Sequence, residues 1–269
     1  FGVTEPTAGS ETTAIRTRAE RDGDTWRING QKIWTSRALY SDLMILLART
    51  TPVDQVESRM DGLSVFLVEM RNADGSLIDG LTINPIPTMM NHSTTEVFFD
   101  DVVIATDALI GIEGMGFRHI LDGMNAERIL IASECIGDGR FFLDKASAYA
   151  KEREVFGRPI GMNQGVAFPL AKAYANLQAA DLMRWKAANL FDAGESCGVE
   201  ANMAKMLASE ASWEAGNAAL NTHGGFGFAV EYDIERKLRE TRLYQVAPIN
   251  NNLVLAFVAQ KCLGLPKSY

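Results

Sequence analysis

Between Ile110 and Gly116 the hydrophobic pattern of the chain changes period, and that change limits what it can fold into. Upstream, apolar residues come in short blocks or on alternating positions, as extended strands require. Downstream they recur every three to four residues over long runs, the spacing of amphipathic helices. Gly111, Gly114 and Gly116 form a flexible junction between the two regimes. The reading is an α+β chain with a β domain over residues 1–112 and a helical domain over residues 113–269. A length of 269 residues gives each part enough chain for its own core.

In the first part, Thr13–Glu20 alternates roughly, with Ile15 and Ala19 on one parity and Arg16 and Arg18 on the other. Thr25–Ile28 and Lys32–Thr35 flank Asn29-Gly30, the dipeptide most typical of a two-residue hairpin, so a hairpin is expected there. Leu43–Ala48, Leu63–Glu69 and Glu96–Ile104 read as further strands, with turns at Asp74-Gly75 and Asp79-Gly80; Pro85 and Pro87 exclude a helix between them. Strands at this spacing without intervening helices point to an antiparallel barrel or sandwich. In the second part, helical patterns cover about 116–153, 163–193, 199–221 and 230–243, and a last helix opens at Pro248 and runs to about Cys262. Pro169 implies a kink or a late start in the second of these, and Gly194 suits its end. Long helices joined by short loops imply an antiparallel four-helix bundle.

A net charge of −8 argues against nucleic acid or an anionic membrane as the main partner. No apolar run reaches the roughly 18 residues that span a bilayer. Cys135, Cys197 and Cys262 are far apart and odd in number, which fits a reducing compartment, and no pair has metal-ligand spacing. The chain opens on Phe1-Gly2-Val3 with neither an initiator Met nor a signal peptide, so a preceding N-terminal portion is expected.

Several segments carry residue types suited to chemistry. Met124-Asn125-Ala126-Glu127-Arg128 lies inside the longest helical run, and Glu127 shares a helix face with Ile120, Met124 and Ile131. A carboxyl among apolar side chains is a general-base candidate with a raised pKa; the alternative is a helix-surface Glu at the rim of an apolar stripe. Thr4-Glu5-Pro6-Thr7-Ala8-Gly9-Ser10 is either a ligand-facing loop of hydroxyls and small residues or a plain turn. Trp34-Thr35-Ser36 offers a planar face beside hydroxyls, or a core Trp. Glu152–Arg158 reads as a charged helix end. Gly224-Gly225-Phe226-Gly227 lacks the Lys-Ser/Thr of a phosphate loop and follows no strand, although it would let a ligand approach the backbone. His92, His119 and His223 are scattered and form no metal pair or hydrolytic triad, and His223 reads as structural.

In this order the segments resemble the acyl-CoA dehydrogenase family along essentially the whole chain. Val3-Thr4-Glu5-Pro6-x-Ala8-Gly9-Ser10 is similar to the opening of that family's middle β domain, and Asn29–Ser36 to its flavin-flanking strand. Arg153-x-x-Phe156-Gly157 with Gln164 resembles its dimer-contact motif; Gly224-Gly225-x-Gly227-Phe228 and Arg239–Gln245 resemble its closing segments. The resemblance implies an N-terminal helical domain outside this chain, non-covalent FAD, an acyl-CoA substrate and an electron-transfer flavoprotein as acceptor. It implies that Thr4, Trp34 and Ser36 hold the flavin ring. It further implies that Arg153, Phe156, Gln164, Asn221, Gly224 and Gly225 reach the FAD of a neighbouring subunit in a homodimer or homotetramer. Ser10, Asn125 and Arg128 would contact the acyl-CoA. The implied compartment is the cytoplasm in a bacterium or the mitochondrial matrix in a eukaryote, with no membrane or nucleic-acid partner and no metal.

One departure from the commonest family pattern bears on the chemistry. Many members carry the base glutamate just after a Tyr-Gln segment, whereas this chain reads Tyr244-Gln245-Val246-Ala247-Pro248. Proline can neither ionise nor donate its backbone N–H. A minority of members places the base on the long helix in a Glu-Arg pair, and Glu127-Arg128 matches that placement. The expected activity is α,β-dehydrogenation of an acyl-CoA thioester with Glu127 as base. The alternatives are a flavin oxidase or monooxygenase on the same scaffold, and a non-catalytic acyl-CoA- or FAD-binding protein.

Overall fold

The computed structural model describes residues 1–90 and 92–267. It comprises two compact units, Phe1–Gly123 and Met124–Tyr269, which divide inside a long helix.

The first unit is built on a seven-stranded mixed sheet. Its strands are β1 (Arg18–Asp22), β2 (Thr25–Ser36), β3 (Leu43–Arg49), β4 (Leu63–Glu69), β5 (Leu81–Pro85), β6 (Thr94–Ala105) and β7 (Leu109–Ile110). They lie in the order β5-β6-β2-β1-β3-β4-β7. The expected antiparallel barrel or sandwich is corrected in two respects. β5 and β7 are edges, so the sheet does not close. β1 and β3 are parallel neighbours through Arg18 and Arg49, because β2 intervenes in sequence and turns the chain before β3 returns beside β1. The apolar parity of each strand packs into one core, with Trp26 edge-on to Phe66 at 5.2 Å between ring centroids.

The hairpin expected at Asn29-Gly30 is absent, and β2 runs straight through it. The two-residue turn is Gly23-Asp24, where Asp22 pairs with Thr25 and Gly23 has φ 60°. Asn29 instead clamps an irregularity in β6: its amide donates to Asp101 Oδ1 at 2.9 Å and its Oδ1 accepts from the Asp101 N–H at 3.0 Å. Gly30 has φ 150°, and a Cβ there would lie 2.6 Å from Thr17 Cα. The glycine serves a close backbone approach rather than a turn.

The second unit is helical. α1 (Gly116–Glu152) continues into it from the first, followed by a small hairpin of β8 (Glu154–Val155) and β9 (Arg158–Pro159), then α2 (Gln164–Asp192), α3 (Gly198–His223), α4 (Ile234–Arg242) and α5 (Asn251–Lys261). The five α-helices among the described residues are the five that the pattern predicts, one more than the expected four-helix bundle contains. α2 runs through Pro169, which sits in its second turn. α4 starts later than its pattern suggests, at Ile234, after Asp233 in the left-handed region at φ 64°. α5 starts at Asn251, not at Pro248, because the Asn250 side chain accepts the Leu253 N–H at 2.9 Å and caps it. α3 presents Ala201, Ala204, Ala208, Ala211 and Ala215 to the core, small side chains that let it pack closely against neighbours such as Phe142 and Leu177.

Candidate active site

In the first unit the candidate residues near the start of the chain hang on a buried ion pair. Lys32 is completely buried, and its Nζ donates to Glu5 Oε1 at 2.9 Å and to the Val3 carbonyl at 3.0 Å. Glu5 also accepts the backbone N–H groups of Arg16 at 2.6 Å and Thr17 at 2.8 Å. Burial pushes the Glu5 carboxyl up, but Lys32 and those two amides outweigh it and hold the pKa below the usual value. Burial lowers Lys32 to about 8 against the pull of Glu5. The pair fixes the Val3–Glu5 segment against β2, where the Thr4 carbonyl accepts the Ile33 N–H at 2.9 Å.

One residue further on, Trp34 is the extra residue of a β-bulge: the register with β6 steps from Ile33–Glu96 to Thr35–Thr95. Its φ of 61° turns the indole out of the sheet and leaves it 58% exposed. Trp34 is therefore a presented face and not a core residue. Ser36 is exposed at the end of β2, while Thr35 between them is buried. Ser10 lies in the exposed loop beyond the Glu5–Ala8 backbone bridge.

In the second unit α1 brings Asn125, Glu127 and Arg128 together. The Arg128 guanidinium is 8% exposed and donates through Nη1 to Asn125 Oδ1 at 3.0 Å. Its buried Nε has no hydrogen-bond partner among the described residues. Glu127 is half-buried and makes no hydrogen bond or ion pair among the described residues. Burial raises its pKa above the usual value, and the neighbouring Arg128 charge offsets only part of that.

A separate open groove of about 660 Å³ lies in the same unit. Arg153, Asn221, Gly224 and Gly225 line it with Tyr149 and His223. A Cβ on Gly224 or Gly225 would meet nothing within 4 Å, so both offer bare backbone to the groove. His223 is a wall element: it is buried, its Nδ1 lies 2.8 Å from the Ala219 carbonyl oxygen, and its ring stacks on Tyr149 at 4.4 Å. Phe156 and Gln164 do not line this groove. Phe156 stands at the tip of the β8–β9 hairpin with φ 54° and is 99% exposed, and Gln164 is exposed at the start of α2.

Two buried lysines escaped the sequence reading. Lys32 is in phase with the inward residues Trp26 and Ile28, and that parity was the available signal. Lys205 is in phase with the buried alanines of α3. Its Nζ donates to the Ile249 carbonyl at 2.6 Å and to Asn251 Oδ1 at 3.0 Å, which ties the segment after Pro248 to α3. Desolvation lowers Lys205 to about 8. Tyr244 is buried, with its hydroxyl on Glu134 of α1. Among the described residues there is no cluster of three or more potential metal ligands, and no helix is long and apolar enough to cross a membrane.

Residues 1–102 match the family model described as acyl-CoA dehydrogenase, middle domain, and residues 114–262 the one described as acyl-CoA dehydrogenase, C-terminal domain. The acyl-CoA dehydrogenase FadE12 of Mycobacterium tuberculosis is 38% identical over 271 residues, covering 100% of this chain and 68% of FadE12. A glutaryl-coenzyme A dehydrogenase solved with glutaryl-CoA has a TM-score of 0.92 at 32% identity, covering 100% of this chain and 66% of that one. PigA, solved as an FAD complex, has a TM-score of 0.90 at 28% identity, covering 98% of this chain and 67% of that one. The chain thus spans about two thirds of the length of each of these proteins.

Proposed function

The chain belongs to the acyl-CoA dehydrogenase family, and from that membership we propose that it oxidises an acyl-CoA thioester to the 2-enoyl-CoA with Glu127 as the base. Glu127 carries this reading: a half-buried carboxyl without a hydrogen-bond partner among the described residues, whose pKa burial has raised. A thioester α-proton is weakly acidic, so the base that takes it must be poorly solvated and held in place. The rigid middle of α1 supplies the position, and burial supplies the basicity. The α-proton passes to a Glu127 carboxylate oxygen. Arg128, anchored by Asn125, offers its unpartnered Nε–H to the acyl-CoA, and we assign Ser10 an acyl-CoA contact as well.

The residues present fit FAD. An outward-turned indole at Trp34, with Thr4 and Ser36 beside it, suits one face and edge of a planar ring. Arg153 beside the bare backbone of Gly224 and Gly225 suits a phosphate-bearing chain, with Asn221 in the same wall. FAD, when bound, supplies the acceptor for the hydride that leaves the β-carbon. Phe156 makes its case for an oligomer: an aromatic ring 99% exposed on a hairpin tip has its packing partner in another subunit. We assign the FAD contacts of Arg153, Phe156, Gln164, Asn221, Gly224 and Gly225 to a neighbouring copy, in a homodimer or homotetramer. An electron-transfer flavoprotein serves as acceptor.

Bleaching of the flavin spectrum by a panel of acyl-CoAs tests this function. Glu127→Gln is expected to abolish bleaching while FAD stays bound; unchanged bleaching would remove Glu127 from the base role. Pro248 favours one second reading, an acyl-CoA-binding protein without catalysis, and on that reading the wild type binds acyl-CoA with no bleaching. Reoxidation of reduced flavin by oxygen without the flavoprotein acceptor would instead mark an oxidase.

A further inference from the structure

Past Glu127 the same face of α1 carries a second carboxylate. Glu134 lies two helical turns on, about 20° round the helix from Glu127 and about 10 Å further along its axis. Ile131 stands between them, half-buried. A base, an apolar side chain and a fixed acceptor thus follow one another along one line of the helix. The functional reading places Asn125 and Arg128 on the acyl-CoA at the level of the base, which leaves the line past Ile131 to the acyl group. We propose that Glu134, held by Tyr244, forms the far end of the acyl site and selects acyl groups that end in a hydrogen-bond donor, a hydroxyl or an amine. This proposal rests on the acyl-CoA reading above. At about 1.2 Å per bond of extended chain, the donor atom stands about eight bonds beyond the α-carbon.

Glu134 is fixed in place while one of its oxygens stays open. Its Oε1 accepts the Tyr244 hydroxyl. Tyr244 is 2% exposed and belongs to the core of the helical unit, so it anchors the carboxylate from below. Burial and the Glu134 carboxylate push the Tyr244 phenol up, which keeps Tyr244 the donor. Glu134 itself is exposed, and its Oε2 has no hydrogen bond among the described residues. The nearby cations are committed elsewhere. Lys237 Nζ lies 2.6 Å from Asp138, one turn further along α1, and 3.3 Å from Glu240. Lys205 donates to the Ile249 carbonyl and Asn251. Among the described residues Glu134 has no ion pair. Gly137 leaves room beside it, since a Cβ there would meet nothing within 4 Å. An acyl chain laid along this face covers Glu134. A methyl end strips water from the carboxylate and replaces nothing, whereas a hydroxyl or an amine restores the lost hydrogen bond. A terminal carboxylate is repelled.

The test uses the FAD-loaded holoenzyme and compares flavin bleaching by plain, ω-hydroxy and ω-amino acyl-CoAs of about six to twelve carbons. In the wild type the hydroxyl or the amine is expected to raise kcat/KM about 10-fold over the plain chain of equal length, most strongly near about eight to ten carbons. Glu134→Leu is expected to invert that preference. Glu134→Gln keeps an acceptor for Tyr244 and removes the charge, so both advantages are expected to shrink, the amine's more than the hydroxyl's. A preference of the wild type for the plain chain at every length overturns the proposal. So does fastest bleaching by an ω-carboxyacyl-CoA. An equal loss of kcat/KM on all classes in Glu134→Leu also overturns it, in favour of a structural role alone. If Glu134→Leu does not fold, Glu134→Gln decides, and selectivity identical to that of the wild type overturns the proposal. If no acyl-CoA bleaches the holoenzyme, the dehydrogenase reading fails by itself. Calorimetric binding of ω-hydroxyacyl-CoA and plain acyl-CoA to wild type and Glu134→Gln then decides the acyl end, and equal affinities overturn it.

Discussion

Replacing Lys32 with Met puts the organisation of the first unit to a quantitative test. The substitution keeps the length of the side chain and removes the ammonium, so Glu5 loses one of its three donors and the Val3 carbonyl loses its partner. Breaking a buried ion pair from one side costs about 3–5 kcal/mol because a charge stays behind without compensation. Glu5 keeps the Arg16 and Thr17 amides. Lys32 also opposes folding at neutral pH, since burial has lowered it to about 8, and Met is free of that cost. Both considerations put the net loss near the lower limit, at about 3 kcal/mol. The Glu5 pKa is depressed in the folded state, so its contribution is complete above its unfolded value and is lost as pH falls through the folded one. The difference between wild type and variant is therefore expected at pH 7 and should narrow in acid. Native-state amide exchange of β2 measures it, read on peptides from residues 25–36. A drop in opening free energy of about 3 kcal/mol there, with weaker FAD retention from the displaced Thr4 and Trp34, is the expected outcome. The double variant Glu5→Leu/Lys32→Met is expected to recover most of the loss, because no uncompensated charge remains. Protection of β2 unchanged in Lys32→Met would refute the view that this pair holds the Val3–Glu5 segment against β2.

Other outcomes follow from the same geometry. Because the Glu127 pKa is raised, kcat/KM is expected to fall on the acid side with an apparent pKa above the ordinary carboxylate value, and pH–rate profiles check this. The raised value also means the ionised form opposes folding at neutral pH, so Glu127→Gln should raise Tm at pH 7 and lose that advantage below the unfolded pKa. Gly30→Ala places a Cβ 2.6 Å from Thr17 Cα on a backbone at φ 150°, and is expected to cost at least about 2 kcal/mol by urea denaturation. Asn250→Ala removes the α5 cap and should cost about 1 kcal/mol, with loss confined to exchange protection of residues 251–261. Lys205→Met unties Ile249 and Asn251 from α3 and leaves two acceptors without their donor, and is expected to destabilise the protein by about 1–2 kcal/mol in a thermal scan.

Periodicity alone determined the division of this chain into a strand-forming and a helix-forming part. α1, α2 and α3 and strands β3, β4 and β6 all lie within a few residues of where the apolar spacing places them. Local chemistry of that kind is written along the chain, since side-chain direction follows sequence position within one element. Glu127 on the apolar side of α1 belongs to the same class, and so does its Arg128 neighbour. What spacing could not decide is which backbones lie beside which. The parallel contact of β1 with β3, the open edges of the sheet and the role of Gly30 depend on strands distant in sequence. Asn29-Gly30 carries a valid turn signal, but the pairing of β2 with β6 along its whole length outweighs the local preference. The same holds for charge. Lys32, Lys205 and Arg49 look like solvated cations in a list of residues; only the folded chain buries each among carbonyls or a carboxylate gathered from several elements. Electrostatic meaning depends on burial and on neighbours in space, and for these three side chains the tertiary structure supplies both.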